Sequence, residues 1–335
     1  FVFIKRKRGF PRYHIALCLV SYFIMPSIHN TLTSDAIGAA DSLTAMIEKE
    51  MHTYCCSDYL NLPAHDASLV TEDDRMKIVD WCYSVIDHCQ FNRETVAIAM
   101  ELVDRFLSTS TSLLVQQILH DKKLYQLAAM GALYISIKLN ERVAFGSDFF
   151  AAMSRGAYTV QEIEDMELSI LRGVGWRVNA PTSLQMANHI LSLTLPHTDI
   201  QEKTWGFILD EVRFQAEHSV RDYYFSTARK STVAMACIFN ALEQASQKDR
   251  VEILNGLLSV LQDFAFDSAT TLFSAKNRLY SLLNLNESSG MMEITDITNN
   301  PRSRTVSFVD SDPDMKVSSN MSNNNSPRLV TTVTR

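Results

Sequence analysis

Glycine and proline are scarce, 10 and 8 among 335 residues. With Leu, Ala, Met, Ile and Glu abundant, that scarcity favours a mostly helical chain. No strong alternating apolar and polar segment appears, so strands are minor or absent. Positive charge is also short: 31 Lys and Arg stand against 38 Asp and Glu, a formal net charge of −7. Phosphate neutralisation needs clustered Lys and Arg, so a general nucleic-acid binder is not expected. The six cysteines, Cys18, Cys55, Cys56, Cys82, Cys89 and Cys237, contain no CxxC pair and no Cys/His ligand spacing. A structural zinc site is therefore not expected, and a reducing intracellular compartment fits best. Glycine-rich phosphate loops, a Gly-x-Ser-x-Gly elbow and HExxH are missing too, so neither an enzyme site nor a cofactor is expected. His88, His189 and His218 sit singly in helical segments and read as structural, and Asp210 and Glu211 read as a solvated edge.

What is present is an apolar content of 46%, enough for a real core, in a chain with room for two domains. Helical spacing predicts an amphipathic helix over 35–51, with Ala36, Leu43, Met46 and Ile47 on one side. A connector with Pro63 follows. Acids at Glu72, Asp73 and Asp74 open the next helix, whose predicted stripe is Ile78, Trp81, Val85 and Cys89. Asn92 is a good cap for a helix carrying Val96, Met100, Val103 and Leu107, which ends near Ser108. A Ser/Thr-rich loop is predicted from Thr109 to Lys122, then a helix apolar nearly all round, from Asp121 to Leu139. Thr159 and Glu162 form a capping box with Tyr158 and Ile163 at the staple positions, and Gly173 and Gly175 end that helix. Further helices are predicted over 182–193, 201–219, 228–246, 250–263 and 268–285. Beyond them the composition turns to Ser, Asn, Thr and Asp, the mark of a disordered tail.

Several charges sit awkwardly. Asp104 and Arg105 stand in the last turns of the apolar run TVAIAMELVDRFL. Arg75 opens the Trp81 helix, Lys138 interrupts the nearly all-apolar helix, and Glu167 lies beside Met166. Each alone reads as a rim charge facing water, since charged residues are seldom fully buried unless paired. Arg75, Asp104, Lys138 and Glu167 lie on four helices of one unit, each near an apolar face, which points to one enclosed pair and one presented pair.

RMKIVDW, ELVDRFLS, LAAMGALYISIKLNE and DMELSILRGVGWRVNAPTS together resemble the N-terminal cyclin box. Its five hallmark positions fall on Arg75, Asp104, Leu127, Lys138 and Glu167. The second half resembles a C-terminal cyclin fold more loosely. The resemblance implies an all-α fold: two tandem five-helix cyclin-fold domains with an extra N-terminal helix and a disordered C-terminal tail. The implied segments are 1–34, the helix at 35–62, the box at 66–180, the second fold at 181–286 and the tail at 287–335.

The resemblance further implies a regulatory subunit, not an enzyme, that forms a heterodimer with a cyclin-dependent kinase and activates it in cell-cycle progression. Arg75 and Asp104 would be the structural pair tying the first helix to the second, with Leu127 and Trp81 in the box core and Arg105 pointing outward. Lys138 and Glu167 would dock the kinase, flanked by Leu139, Leu171, Trp176 and Val178. The helix at 35–51 would touch the kinase as well. A substrate-docking groove would hold Ile78, Trp81 and Gln126, but its other places carry Asp74 and Lys77, so an Arg-x-Leu motif is expected to bind weakly or with altered preference. Asn140 stands where an acid usually follows the Lys138 position. Kinase substrates or inhibitors are the further partners implied; nucleic acid, membrane, metal and cofactor are not.

Two other readings share the fold: a transcription-type cyclin, and a non-activating cyclin-like scaffold. The N-terminal cluster Lys5 to Arg8 and the apolar run from Ile15 to Met25 admit a nuclear signal, a secretory leader, or residues ahead of a true start at Met25. The run is too short to span a membrane. The expected location is the nucleus and/or the cytoplasm. Ser307, three residues after Arg304, and Ser326, before Pro327, are possible phosphosites.

Overall fold

Two hydrophobic cores form along the chain, one behind the other. The computed structural model describes residues 34–61, 69–109, 112–142, 145–262 and 264–292. Among the described residues there are thirteen α-helices and no strand. The tail was expected to begin at 287, but the last helix runs on to Met292; the expectations for the N-terminal segment, the rest of the tail, Ser307 and Ser326 lie outside the described residues.

The first core is built by α2 (Glu72–His88), α3 (Glu94–Thr109), α4 (Leu113–His120), α5 (Lys122–Asn140), α6 (Ser147–Met153) and α7 (Val160–Gly173), numbered after the N-terminal helix α1 (Ser34–His52). Helix α5 runs through its centre, with Tyr125 and every residue from Leu127 to Ile137 buried. On α3 the predicted stripe of Val96, Met100, Val103 and Leu107 is buried. Local sequence sets the helix ends. Thr71 and Asp74 form a capping box at α2, Asn92 accepts the Glu94 N–H at 3.0 Å, and Thr159 and Glu162 form the box at α7.

Two expectations need correction here, and one helix had not been foreseen. The fully buried line of α2 is Arg75, Val79, Cys82 and Ile86. Val85 is buried too, but Ile78, Trp81 and Cys89 are only half-buried, because the large indole sits at the edge of the face rather than at its centre. The segment predicted as a loop between Thr109 and Lys122 contains α4, capped by Ser112, with Val115, Ile118 and Leu119 buried; the Ser/Thr run spans only its approach. Helix α6 was unexpected and rests on Phe150, fully buried against Tyr134.

The second core is built by α8 (Ser183–Thr194), α9 (Glu202–Ser219), the short α10 (Tyr224–Thr227), α11 (Lys230–Gln244), α12 (Gln247–Leu261) and α13 (Ala269–Met292). Helix α11 is its axis, buried from Ser231 to Leu242. Helix α9 contributes Trp205, Ile208, Val212 and Ala216, at helical spacing. Helix α1 belongs to this core: Leu43 and Ile47 pack within it, Met46 against it. Glu50, 5% exposed, takes the Ser231 N–H at 3.0 Å and Arg229 Nε at 3.1 Å. Its carboxylate therefore sits at the positive end of α11 and fixes α1 there.

Both cores belong to one compact unit that ends at Glu287. Across the seam Tyr83 donates to the Glu217 carbonyl at 2.9 Å, Arg93 pairs with Glu217 at 2.7 Å, and Arg221 pairs with Asp80 at 2.6 Å. The five described cysteines are free, and burial pushes the Cys82 thiol up to about 12, so it packs as a neutral small hydrophobe. Among the described residues no group of three or more His, Cys, Asp or Glu could hold a metal, and no helix is long and apolar enough to cross a membrane.

Candidate partner-docking face

Helix α7 lies close against α5 because Gly131 faces it. A Cβ there would lie 3.2 Å from the Met166 side chain and 3.5 Å from the Glu167 backbone nitrogen. This approach brings Lys138, near the end of α5, onto Glu167 of α7, and the ammonium donates to Glu167 Oε1. The same ammonium stands 4.0 Å from the centroid of the Tyr134 ring. Both side chains of the pair remain partly open to water. Leu139, next to Lys138 on α5, and Trp176, just past the end of α7, are 48% and 63% exposed, while Leu171 and Val178 are half-buried. Large apolar groups left that open on the elements that carry a fixed charge pair suit a partner surface.

Trp176 is held in an unusual way. After α7 ends, Gly175 and Trp176 both adopt left-handed backbone, φ +61° and +60°. The Trp176 N–H returns to the Leu171 carbonyl at 2.8 Å and the Gly175 N–H to Arg172 at 3.1 Å, so the turn is closed by the helix's own last carbonyls. A bulky side chain with positive φ is strained. Gly173 contributes differently: a Cβ there would overlap the Phe106 ring. The helix end can cross α3 only without that atom.

Beneath this face lies the charged pair of α3. Arg105 does not point outward. It is 2% exposed, with Nε 2.8 Å from Glu101 Oε1, its guanidinium 4.6 Å from the centroid of the Tyr54 ring, and Nη2 donating to the Arg177 carbonyl. Arg105 therefore supports, from inside, the segment that carries Trp176 and Val178. Its planar cation can lie on an aromatic ring and still donate edgewise, which makes burial tolerable.

Arg75 and Asp104 meet in a two-pronged ion pair, Nε to Oδ1 at 3.0 Å and Nη2 to Oδ2 at 2.7 Å. Both residues are buried. Burial opposes the Arg75 charge, but the Asp104 carboxylate outweighs it and holds the guanidinium proton more tightly than usual. The pair also reaches beyond the two helices named from sequence. Arg75 Nη1 donates to the Val220 carbonyl at 2.7 Å, and Tyr59 donates to Asp104 Oδ1 at 2.7 Å. Tyr223 completes the network, taking the Tyr59 and Leu60 N–H groups at 2.9 and 3.1 Å and donating to Asp58 at 2.9 Å. The connector, both helices and the segment that follows α9 thus converge on one ion pair.

Leu127 is buried in the first core. Ile78, Trp81 and Gln126 are half-buried on α2 and α5, and Gln126 accepts from the Tyr158 hydroxyl at 3.1 Å. Of the two charged groove positions, Asp74 pairs with Lys122 at 2.7 Å across the helix starts, while Lys77 pairs with Asp73 at 2.6 Å in the open. Burial raises the Asp74 carboxyl slightly, but the Lys122 ammonium and Thr71 hold it below its usual range. Asn140 turns back onto the Ser136 carbonyl at 2.8 Å.

Tyr134, Tyr59 and Tyr223 were not predicted to belong to these arrangements. Tyr134, four residues before Lys138 on a helix, carried a local signal; the other two come from distant sequence. An aromatic chain close by was also missed: Phe145 stacks on Phe149 at 4.2 Å, Phe149 meets Phe150 at 5.6 Å, and Phe150 meets Tyr134 at 5.1 Å.

Comparison with known proteins matches residues 41–179 to the family model "Cyclin, N-terminal domain". Cyclin-A2-1 of Oryza sativa subsp. japonica is 25% identical over 211 residues, 63% of this chain and 40% of that protein. G1/S-specific cyclin-E1 of Gallus gallus is 31% identical over 173 residues, 50% of this chain and 40% of that protein. Cyclin-D3-2 of Arabidopsis thaliana is 25% identical over 290 residues, 84% of this chain and 73% of that protein. The chain spans less than half the length of the first two of these relatives. In fold it is similar to the crystal structure of a viral cyclin from herpesvirus saimiri, with TM-score 0.53 and 13% identity, over 74% of this chain and 99% of that one.

Proposed function

Because the chain belongs to the cyclin family, we propose that it is the regulatory subunit of a cyclin-dependent Ser/Thr kinase, acting in cell-cycle progression in the nucleus and/or the cytoplasm. The observation that carries this reading is the partly open Lys138–Glu167 pair, with exposed Leu139 next to Lys138 in sequence and exposed Trp176 just past the end of α7. Kinase chemistry requires a Lys–Glu ion pair whose Glu comes from the kinase's C helix, with a Mg²⁺-binding Asp in place. A partner that binds only the inward position of that helix raises the active population. Inverting a 1:99 equilibrium takes about 5.5 kcal/mol of differential binding. Apolar contact at Leu139, Trp176, Leu171 and Val178 is a suitable source, with Lys138 and Glu167 supplying direction through hydrogen bonds to backbone groups near the helix. The chain supplies binding energy and no chemistry.

The test is capture from a lysate of the source cell on the full chain and on the Lys138→Ala, Glu167→Ala variant, with the bound fraction assayed on a Ser-Pro peptide. Kinase activity on the first and none on the second is the expected result. Activity on neither would overturn the activator reading and leave a scaffold.

A further inference from the structure

Lys138 is held at two points, and only one of them is the carboxylate of Glu167. Tyr134 stands four residues earlier on α5, so the two side chains share a face of the helix. Helical side chains lean toward the N-terminus, which carries the Lys138 stem back over the Tyr134 ring. The ammonium lies 4.0 Å from the ring centroid, where the negative face of an aromatic ring attracts a cation. Glu167 takes the same ammonium from the side of α7.

The ring is braced in turn. Tyr134 is buried and meets fully buried Phe150 at 5.1 Å, with the ring planes at 53°. Phe150 meets Phe149 edge-on at 5.6 Å, Phe149 stacks on Phe145 at 4.2 Å, and Phe145 meets Phe91, just ahead of α3, at 5.5 Å. Helix α6, which carries Phe149 and Phe150, is tied to α7 by Ser147, whose hydroxyl donates to Glu164 at 2.7 Å. The packing that sets the Tyr134 ring therefore comes from outside the α5–α7 pair. This matters because the Lys138 side chain is 33% exposed. A long side chain free to swing in water would have to be ordered when a partner docks, and holding it beforehand favours binding.

We propose that Tyr134 is a positioning residue of the docking face: its ring, braced by the aromatic chain of α6, sets the direction in which the Lys138 ammonium meets the kinase. The proposal rests on the reading of Lys138 and Glu167 as the kinase-docking pair. With one side on the ring and another on Glu167, the ammonium turns its remaining side to the partner in a single orientation.

The experiment titrates the captured kinase, freed of its partner, with the full chain altered at position 134, and reads half-saturation from the rate of Ser-Pro peptide phosphorylation. Tyr134→Phe keeps the ring and should match the unaltered chain. Phenylalanine fluorinated stepwise at the same position keeps size and packing but draws negative charge from the ring face. Half-saturation should rise with each step, by about two- to fivefold for the trifluorinated ring, while Tm and the maximal rate hold. Tyr134→Leu should weaken binding to a similar extent. In the free chain the ε-methylene protons of Lys138, assigned from Lys138→Ala, should lie upfield of those of open Lys77 because the ring shields them, and should move back in Tyr134→Leu. Affinity unchanged by fluorination, a loss already complete in Tyr134→Phe, a loss that only follows a fall in Tm, or no upfield shift would overturn the role of Tyr134 and leave the activator reading in place. No rise in rate with the unaltered chain would remove that reading, and this role with it.

Discussion

Lys138–Glu167 and Arg75–Asp104 are both cation–carboxylate pairs, yet their surroundings give them opposite energetic weight. Asp104 lies among buried groups, so Arg75→Ala strands a charge and should lower stability by about 3–5 kcal/mol. Arg75→Lys should recover only part, because a point ammonium cannot reproduce the two-pronged contact. Denaturant midpoints at fixed pH check both. The Lys138–Glu167 pair is partly solvated, so its removal should change stability by no more than about 1 kcal/mol. Glu101 gives a pH signature. Its carboxyl stands at about 7 in the fold against the ordinary 4.5, so protonation stabilises the fold. That contribution is fully present below pH 4.5 and is lost as pH rises through 7, to the extent of about 3 kcal/mol. Urea titrations at pH 5 and 8 should show this loss in the unaltered chain. They should show a smaller one in Glu101→Gln, and an equal loss in both would contradict the assignment to Glu101.

Among the elements, α7 and its end separate stability from docking. Gly173→Ala places a methyl against the Phe106 ring and should destabilise by about 1–3 kcal/mol. Trp176→Gly removes a mostly exposed indole and relieves a positive φ, so Tm should hold or rise while partner binding falls. Binding lost together with Tm would mean that Trp176 is structural. Helix α1 makes a parallel case: Leu43→Ala should cost about 2–5 kcal/mol and act on the second core, where Leu43 is fully buried. Hydrogen exchange in α8 and α11 is the readout. Element ends were legible where caps specify them, as at Thr159 and Glu162. The buried face of α2 was not, because helical spacing fixes a stripe only to within a residue and Trp81 drew it sideways.

Across the whole molecule, the parts legible in sequence were those decided locally: helical class, the α3 stripe, and the nearly all-apolar α5. What escaped was decided by long-range neighbours. Arg105 follows Asp104 and helical geometry alone turns it away from Asp104's side. Its burial depends on Tyr54 and on the Arg177 carbonyl, 72 residues further on. Likewise the Arg75–Asp104 pair depends on Tyr59, Tyr223 and the Val220 carbonyl, which no pattern near either residue announces.

The most direct measurement is the rate of Ser-Pro peptide phosphorylation by the captured kinase, freed of its partner, as increasing amounts of the chain are added. The account predicts a saturable rise with the unaltered chain. It predicts none with Lys138→Ala, Glu167→Ala at equal helix content, and a full rise with Glu101→Gln. Binding without any rise in rate, or an equal rise with the double variant, would contradict it.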